Sequence, residues 1–250
     1  MSPTRGPRAR PRPTLDAEQE LFSRGAELVV GVDEVGRGSW AGPVSVGVAC
    51  IDRRTAATGN PPGIRDSKAY SEGRRETAFE EAANWCVIWS VGSATSTECD
   101  ELGMTAALRE ATRRALAEVV EKLGRVPDHI LLDGSHNYLA GPRRVEADGA
   151  VDLTGNGAPP VTTLVKGDQS SLTIAAASVL AKVTRDRYMR SLDHHFPPFD
   201  FASNKGYPSP AHQIALAGFG PTAIHRTTWA FMDALPWLRA GILPSLRAER

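Results

Sequence analysis

Three aspartates in the chain each follow a short apolar run and lie close to a glycine. They are Asp33, Asp133 and Asp168, and Glu34 follows the first of them directly. Short apolar runs bounded by glycine are typical of buried strands. Because the carboxyl ends of strands in α/β sheets are where functional sites collect, we expect the four carboxylates to form one cluster.

Such a cluster indicates metal-dependent chemistry. Carboxylates placed together repel and raise one another's pKa values, and divalent cations remove that conflict. Mg²⁺ prefers oxygen ligands and keeps several waters, so a few carboxylates suffice. Two such ions about 3.5–4 Å apart can activate a water and stabilise the leaving oxygen in phosphodiester hydrolysis. Spacing alone leaves one alternative open, in which each aspartate is only a turn former or a helix cap.

One geometric condition applies to the first pair of carboxylates. Neighbouring residues of a strand point to opposite faces of the sheet. Asp33 and Glu34 therefore share a site only where the strand bends, and we expect the turn Gly36-Arg37-Gly38 to provide that bend.

The elements that must position these residues follow from hydrophobic patterning. Strands are predicted at 28–32, 44–51, 86–91, 130–134 and 161–165, and helices at 71–84, 104–123 and 170–194. The first three strands have short connections, which favours an antiparallel meander, and strand–helix alternation follows them. Residues 140–160 are rich in Gly, Pro and acidic residues, which is typical of a surface insertion. We therefore expect an α/β fold: a mixed five-stranded sheet flanked by helices, with a small helical C-terminal portion.

Composition excludes several classes of protein. The 250 residues include 41% hydrophobic and 23% charged residues, the ordinary globular mix. No apolar run approaches the roughly 20 residues of a membrane span, and three cysteines without C-x-x-C spacing fit a reducing cytoplasm. Residues 1–13 carry four arginines and no acid. We divide the chain into a disordered arm (1–25), a catalytic domain (26–195) and a helical extension (196–250), and expect order to begin near Glu27.

Six blocks of sequence resemble, in the same order, those of bacterial ribonuclease HII, the type 2 ribonuclease H. The blocks are 31–38, 66–68, 131–134, 166–168, 175–186 and 205–208, and the resemblance covers about residues 27–235. It implies a ribonuclease H-like fold and cleavage of RNA within a duplex, dependent on Mg²⁺ or Mn²⁺, with 3′-hydroxyl and 5′-phosphate products. Ser39 and Trp40 follow the turn where the family usually has proline. The related ribonuclease HIII typically has lysine where Arg37 stands, which favours HII.

The resemblance also assigns roles to residues. Asp33, Glu34, Asp133 and Asp168 match the metal-binding catalytic quartet of the family. A second set, Gly36, Arg37, Gly38 and Tyr207, matches the parts that recognise a ribonucleotide followed by a deoxyribonucleotide. Glycines let backbone groups approach a sugar closely, and the 2′-hydroxyl is what distinguishes RNA from DNA. Lys68, Lys166 and Lys182 are candidate phosphate contacts, with a solvated surface role as the alternative for each.

We therefore interpret the chain as a cytoplasmic endoribonuclease, a monomer by default, acting on RNA–DNA hybrids and on ribonucleotides embedded in duplex DNA. Two rivals are another nuclease or transposase of the same fold and a silent hybrid-binding module. A metal-free carboxylate hydrolase is a third. The histidines lack the spacing of a transition-metal site. We expect a surface role for His225 and Arg226, with contact to substrate as the alternative.

Overall fold

The computed structural model describes residues 12–61, 63–64, 72–141 and 158–236. Within these ranges five strands form one sheet in the order β3-β2-β1-β4-β5. The strands are β1 (Leu28–Val35), β2 (Val44–Asp52), β3 (Ile88–Ala94), β4 (His129–Asp133) and β5 (Val161–Leu164). β1 pairs antiparallel with β2, and β2 with β3, as the short connections predict. β1, β4 and β5 are parallel, so their carboxyl ends lie at one edge of the sheet.

The described helices are grouped around this sheet. They are α1 (Asp16–Ser23), α2 (Arg53–Ala57), α3 (Glu72–Trp85), α4 (Ser96–Leu102), α5 (Met104–Leu123), α6 (Leu172–Leu192), α7 (Phe201–Asn204) and α8 (Pro210–Phe219). The bounds of α5 are those that its apolar periodicity predicts. α2 and α4 lie outside the predicted helices. No described helix has the length and apolar character needed to cross a membrane.

Two helices cover the two faces of the sheet. Val30 and Val32 of β1 pack in a core with α5, whereas Val29 packs in a second core with α6. α6 lies unusually close to the sheet, because a Cβ on Gly47 would come within 2.2 Å of the carbonyl oxygen of Ala177. The alanine run 175–177 therefore acts as a close-packing surface between α6 and the sheet.

The prediction of a disordered arm over residues 1–25 is wrong for residues 16–23, because they form α1, which packs against α6. Leu15 and Phe22 lie two helical turns apart and are buried in the core beside α6. Glu18 is fully buried, and one of its carboxylate oxygens accepts hydrogen bonds from the Ser171 hydroxyl (2.6 Å) and from the Thr173 amide (2.9 Å). Order therefore begins before Glu27. Residues 1–11 and 142–157, the latter being most of the predicted insertion, lie outside the described residues.

The described C-terminal portion is helical, as predicted, and packs onto the rest of the fold. Its core joins Phe199, Phe201 and Leu216 to Met189 of α6 and to Ala41, which follows β1. Gly206 has a φ of +84°, and a Cβ there would lie 2.3 Å from the carbonyl oxygen of Ala41. Only glycine fits so near this backbone. The C-terminal portion is thereby fixed against the segment that follows the Gly36–Gly38 turn.

Candidate active site

The four predicted carboxylates lie at one edge of the sheet. Asp33 and Glu34 are near the end of β1, and Asp133 ends β4. Val32 is paired with Leu132 in the parallel register, so Asp33 and Asp133 are neighbours on adjacent strands. Asp168 lies in a 3-10 turn between β5 and α6. The parallel arrangement of the three strands thus accounts for the grouping.

The strand does not bend between the first two carboxylates, contrary to the expectation. β1 remains paired with β2 through Val35, so Asp33 and Glu34 leave opposite faces of the strand at its end. Asp33 lies on the α6 side, beside Ser178, whereas Glu34 lies on the other side. Both still feel the charge of Asp133, which raises the pKa of each. Asp133 is therefore the common neighbour of the pair.

The electrostatics of the cluster are unfavourable in the absence of a cation. Burial, and then the charge of Asp133, raise the pKa of Asp33 well above its ordinary value, since Asp33 is only 9% exposed. Burial also raises the pKa of Glu34, which the Arg37 guanidinium opposes at a distance of 3.3 Å. The charge of Asp168 adds to the repulsion at Asp33. The cluster thus concentrates negative charge where water is partly excluded.

The donor set fits a hard divalent cation. All four side chains offer carboxylate oxygens, the ligands that Mg²⁺ and Mn²⁺ prefer. A bound cation would offset the repulsion that raises the pKa of Asp33. Among the described residues, however, no three Asp, Glu, His or Cys side chains are already arranged as a metal-binding group. One carboxylate is fixed in place, because Asp133 Oδ1 accepts a hydrogen bond of 2.6 Å from the Gly167 amide.

The turn Gly36–Gly38 is held by a buried arginine, Arg226, for which the sequence analysis predicts a surface role. Arg226 is fully buried, and its guanidinium donates to the carbonyl oxygens of Gly36 (2.7 Å) and Arg37 (2.9 Å). The C=O and N–H of one trans peptide point in opposite directions. The amides of Arg37 and Gly38 consequently face away from the guanidinium. A Cβ on Gly38 would meet no atom within 4 Å, so this part of the turn is open.

A second buried arginine supports the segment after the turn. Arg185 of α6 donates to the carbonyl oxygen of Pro43 (2.8 Å), to that of Lys205 (2.9 Å) and to the Ser39 hydroxyl (2.8 Å). It therefore links α6, the segment after the Gly36–Gly38 turn and residues 205–208. Gly36 has a φ of +84°, and a Cβ there would lie 2.2 Å from Arg185 Nε, so glycine is needed.

Tyr207 and the turn meet in the structure. The Tyr207 phenol oxygen accepts a hydrogen bond of 3.2 Å from the Gly36 amide. A phenol that accepts in this way still has its own O–H to donate. Gly36 is buried, Tyr207 is partly buried, and Arg37 and Gly38 are exposed, so the residues assigned to ribonucleotide recognition meet at the surface beside Glu34.

The three candidate lysines differ in their surroundings. Lys166 is exposed and lies two residues after the end of β5, close in sequence to Asp168. Lys182 is paired with Asp186 one turn further along α6, at 2.5 Å, so its charge is already compensated. Lys68 lies outside the described residues. Their role as phosphate contacts stays a prediction.

Sequence reasoning missed four buried groups around the turn. His212 and Arg185 were not proposed, and His225 and Arg226 were predicted at the surface although they are 2% and 0% exposed. Their partners are mostly backbone carbonyls and each other, far apart in the chain. No hydrophobic period marks such residues. The one sequence signal available is the adjacent pair His225-Arg226, which follows a stretch interrupted by glycine and proline.

Comparisons with known proteins agree with this geometry. Residues 30–232 match the family described as Ribonuclease HII. A ribonuclease HII from Streptomyces avermitilis is 45% identical over 228 residues, covering 91% of this chain and 88% of that relative. The crystal structure of ribonuclease H2 from Pyrococcus horikoshii OT3 is 28% identical, with a TM-score of 0.60 over 83% of this chain and 96% of that chain. Bst-RNase HIII in complex with Mn²⁺ is 19% identical, with a TM-score of 0.64 over 92% of this chain and 75% of that chain, a likeness of fold.

Proposed function

Because the chain belongs to the ribonuclease HII family, whose members hydrolyse RNA in RNA–DNA hybrids, we propose that it is a metal-dependent endonuclease that also cuts 5′ to single ribonucleotides in duplex DNA. The products carry 3′-hydroxyl and 5′-phosphate ends. The cellular roles that follow are removal of ribonucleotides from DNA and processing of RNA primers in the cytoplasm.

The observation that carries this proposal is the placement of two features side by side. The carboxylate cluster lies at the carboxyl ends of β1 and β4. The Gly36–Gly38 turn follows β1 directly and donates a hydrogen bond to the Tyr207 phenol. The first feature supplies phosphodiester chemistry and the second can read a sugar hydroxyl. Their proximity means that the strand is cut beside the sugar that is read.

In the proposed reaction, Asp33, Glu34, Asp133 and Asp168 hold the divalent cations. Bound there, a Mg²⁺ or Mn²⁺ pair would supply activation of the attacking water and stabilisation of the 3′-oxygen that leaves. The Gly167 amide orients Asp133, and Ser178 is bonded to Asp33. The chain's own contribution is thus a set of anionic ligands, of which Asp133 is oriented by the turn between β5 and α6 and Asp33 by α6.

Recognition of the ribonucleotide rests on the turn and Tyr207. The outward amides of Arg37 and Gly38 supply donors, and the Tyr207 O–H supplies a third. A site built to bond a hydroxyl rejects the analogue that lacks it, because its polar groups are then left without partners. We therefore expect an all-deoxy duplex to be a poor substrate even when it binds.

The test uses a labelled DNA duplex with one ribonucleotide, incubated with Mg²⁺, beside an all-DNA duplex and an EDTA control. Asp133→Asn keeps an oxygen acceptor for the Gly167 amide but removes the charge, so we expect a loss of at least about 10²-fold. Asp52→Asn is the matched control. Asp52 lies at the opposite edge of the sheet and caps α2, where asparagine serves equally well.

Each rival function has its own outcome in this experiment. Cleavage of the all-DNA duplex would indicate another nuclease of the same fold. Cleavage in EDTA would indicate metal-free chemistry. Binding of the hybrid by the wild-type chain without any cleavage would indicate a silent binding module.

A further inference from the structure

Two buried histidines form a hydrogen-bonded pair beneath the recognition tyrosine. His212 Nε2 and His225 Nε2 are 2.9 Å apart, and both side chains are buried, at 0% and 2% exposure. The rings of Phe199 and Phe201 lie beside them, with ring centroids between 5.0 and 6.0 Å away. A polar pair in such a setting is costly unless every nitrogen is bonded.

The partners at the two ends fix which nitrogens carry hydrogen. His212 Nδ1 lies 2.9 Å from the carbonyl oxygen of Tyr207, which only accepts, so this nitrogen donates. His225 Nδ1 lies 2.9 Å from the amide of Thr222, which only donates, and 2.8 Å from the Thr222 hydroxyl, which can also donate, so this nitrogen accepts. The remaining contact is therefore a donation from His225 Nε2–H to His212 Nε2. All four ring nitrogens are satisfied with both rings neutral.

This chain of hydrogen bonds joins the two segments that enclose the turn. At one end is the backbone of Tyr207, whose phenol contacts Gly36. At the other end, the backbone of His225 forms an isolated antiparallel β-bridge with Ala41. The adjacent Arg226 donates to the carbonyl oxygen of Gly36. The histidine pair thus connects the backbone of Tyr207 to the segment that packs against the turn.

We propose that His212 and His225 are positioning residues which fix Tyr207 over the Gly36–Gly38 turn and thereby set the enzyme's selectivity for a ribonucleotide. This inference rests on the proposed function and extends it to residues that do not touch substrate. Both histidines are too deeply buried to contact a nucleic acid, so their effect reaches the sugar only through Tyr207.

Two substitutions at one position separate this role from simple core packing. Asparagine places its amide nitrogen where His212 Nδ1 stands, so His212→Asn retains the donation to the Tyr207 carbonyl. Glutamine places its amide where Nε2 stands, so His212→Gln retains the contact with His225 and loses the one with Tyr207. Both variants are smaller than histidine and leave a polar group in the same apolar site. Their unfolding temperatures should therefore fall by similar amounts.

The readout is steady-state cleavage of a single-ribonucleotide duplex and of a long RNA–DNA hybrid. For His212→Gln, we expect the ratio of kcat/KM on the first substrate to that on the second to fall at least about tenfold, because misplacing a positioning group by a fraction of an ångström is costly. The loss falls in kcat rather than KM, since phosphate contacts position the duplex. For His212→Asn, we expect the ratio to stay near that of wild type. His194→Gln, on an exposed ring, is the control.

Equal ratios in the two His212 variants would overturn the inference. A wild-type enzyme that fails to cut the single-ribonucleotide duplex would overturn the proposed function instead, so the two failures are distinguishable. Imidazole ¹⁵N shifts of the wild-type protein provide a second test that needs no variant. We expect His212 as the Nδ1–H tautomer and His225 as the Nε2–H tautomer, and any other assignment would contradict the inference.

Discussion

At the scale of single residues, the carboxylates could be predicted from sequence whereas their supporting groups could not. Asp33, Asp133 and Asp168 each end an apolar run, and a strand end is a local signal. Arg226 is recognisable only in the fold, because its partners are carbonyl oxygens of a turn about 190 residues earlier. Predicting it from sequence would require knowing beforehand which backbone carbonyls lack partners.

The charge of Asp33 destabilises the metal-free protein, which leads to a stability prediction. Because burial, and then the charge of Asp133, raise the pKa of Asp33, we expect Asp33→Asn to raise the free energy of unfolding of the metal-free protein at pH 8. Mg²⁺ bound to the native state alone raises stability, and this increase should be smaller in the variant. Chemical denaturation with Mg²⁺ and with EDTA measures both effects.

Asp52→Asn is again the control, since the pKa of Asp52 is lowered chiefly by hydrogen bonds from Thr55, which outweigh the opposing effect of burial. Its charged form is thus favoured in the fold, and its substitution should bring no gain. A metal-free Asp33→Asn protein less stable than wild type would show that the carboxylate charge is not the dominant cost at this position.

At the scale of elements, periodicity predicted the sheet and its two main helices, and missed the elements that depend on distant partners. Leu108, Leu116 and Val119 of α5 are spaced on one face, so its bounds could be read directly. α1 is short and charged, and its folded state depends on Leu15, Phe22 and the bond from Ser171 to Glu18. Such tertiary contacts leave little trace in a local pattern.

The close contact between α6 and the sheet gives a test at this scale. A Cβ on Gly47 would lie 2.2 Å from the Ala177 carbonyl oxygen and 3.0 Å from the Ala181 Cβ, so Gly47→Ala forces β2 and α6 apart. We expect a loss of about 2–3 kcal/mol in the free energy of unfolding. Since α6 begins next to Asp168 and bears Ser178, cleavage should fall as well.

Gly218→Ala is the matched control. Gly218 lies in α8 and is exposed, and a Cβ added there would meet no atom within 4 Å. Alanine favours helix over glycine by up to about 1 kcal/mol, so this variant should be as stable as wild type or more so. Urea unfolding of both variants provides the measurement, and equal stability of the two would contradict the steric argument.

At the scale of the whole molecule, the catalytic and recognition features come from two parts of the chain that one buried polar network joins. The sheet supplies the carboxylates, the C-terminal portion supplies Tyr207, and Arg185, Arg226 and the histidine pair connect them. We therefore expect that opening the C-terminal portion would remove Tyr207 from the Gly36–Gly38 turn, and with it the proposed ribonucleotide recognition.

This arrangement makes the stability of the enzyme depend on pH through the histidine pair. Burial, and then the neighbouring His212, lower the pKa of His225 from 6.5 to about 3. Below pH 6.5 the unfolded chain therefore binds a proton that the folded chain does not, and the free energy of unfolding falls as the pH falls. We expect His225 to contribute a loss of about 1 kcal/mol per pH unit between pH 6 and 5. The raised pKa values of Asp33 and Glu34 oppose this loss, so the contribution of His225 is measured as a difference between variants. In His225→Gln the dependence should be weaker by about that slope, and in His194→Gln it should match wild type. Urea denaturation of the three proteins across this range measures the slopes. Identical slopes in wild type and His225→Gln would mean that the buried pair does not change its protonation on unfolding. The network would then tolerate a charge at its centre.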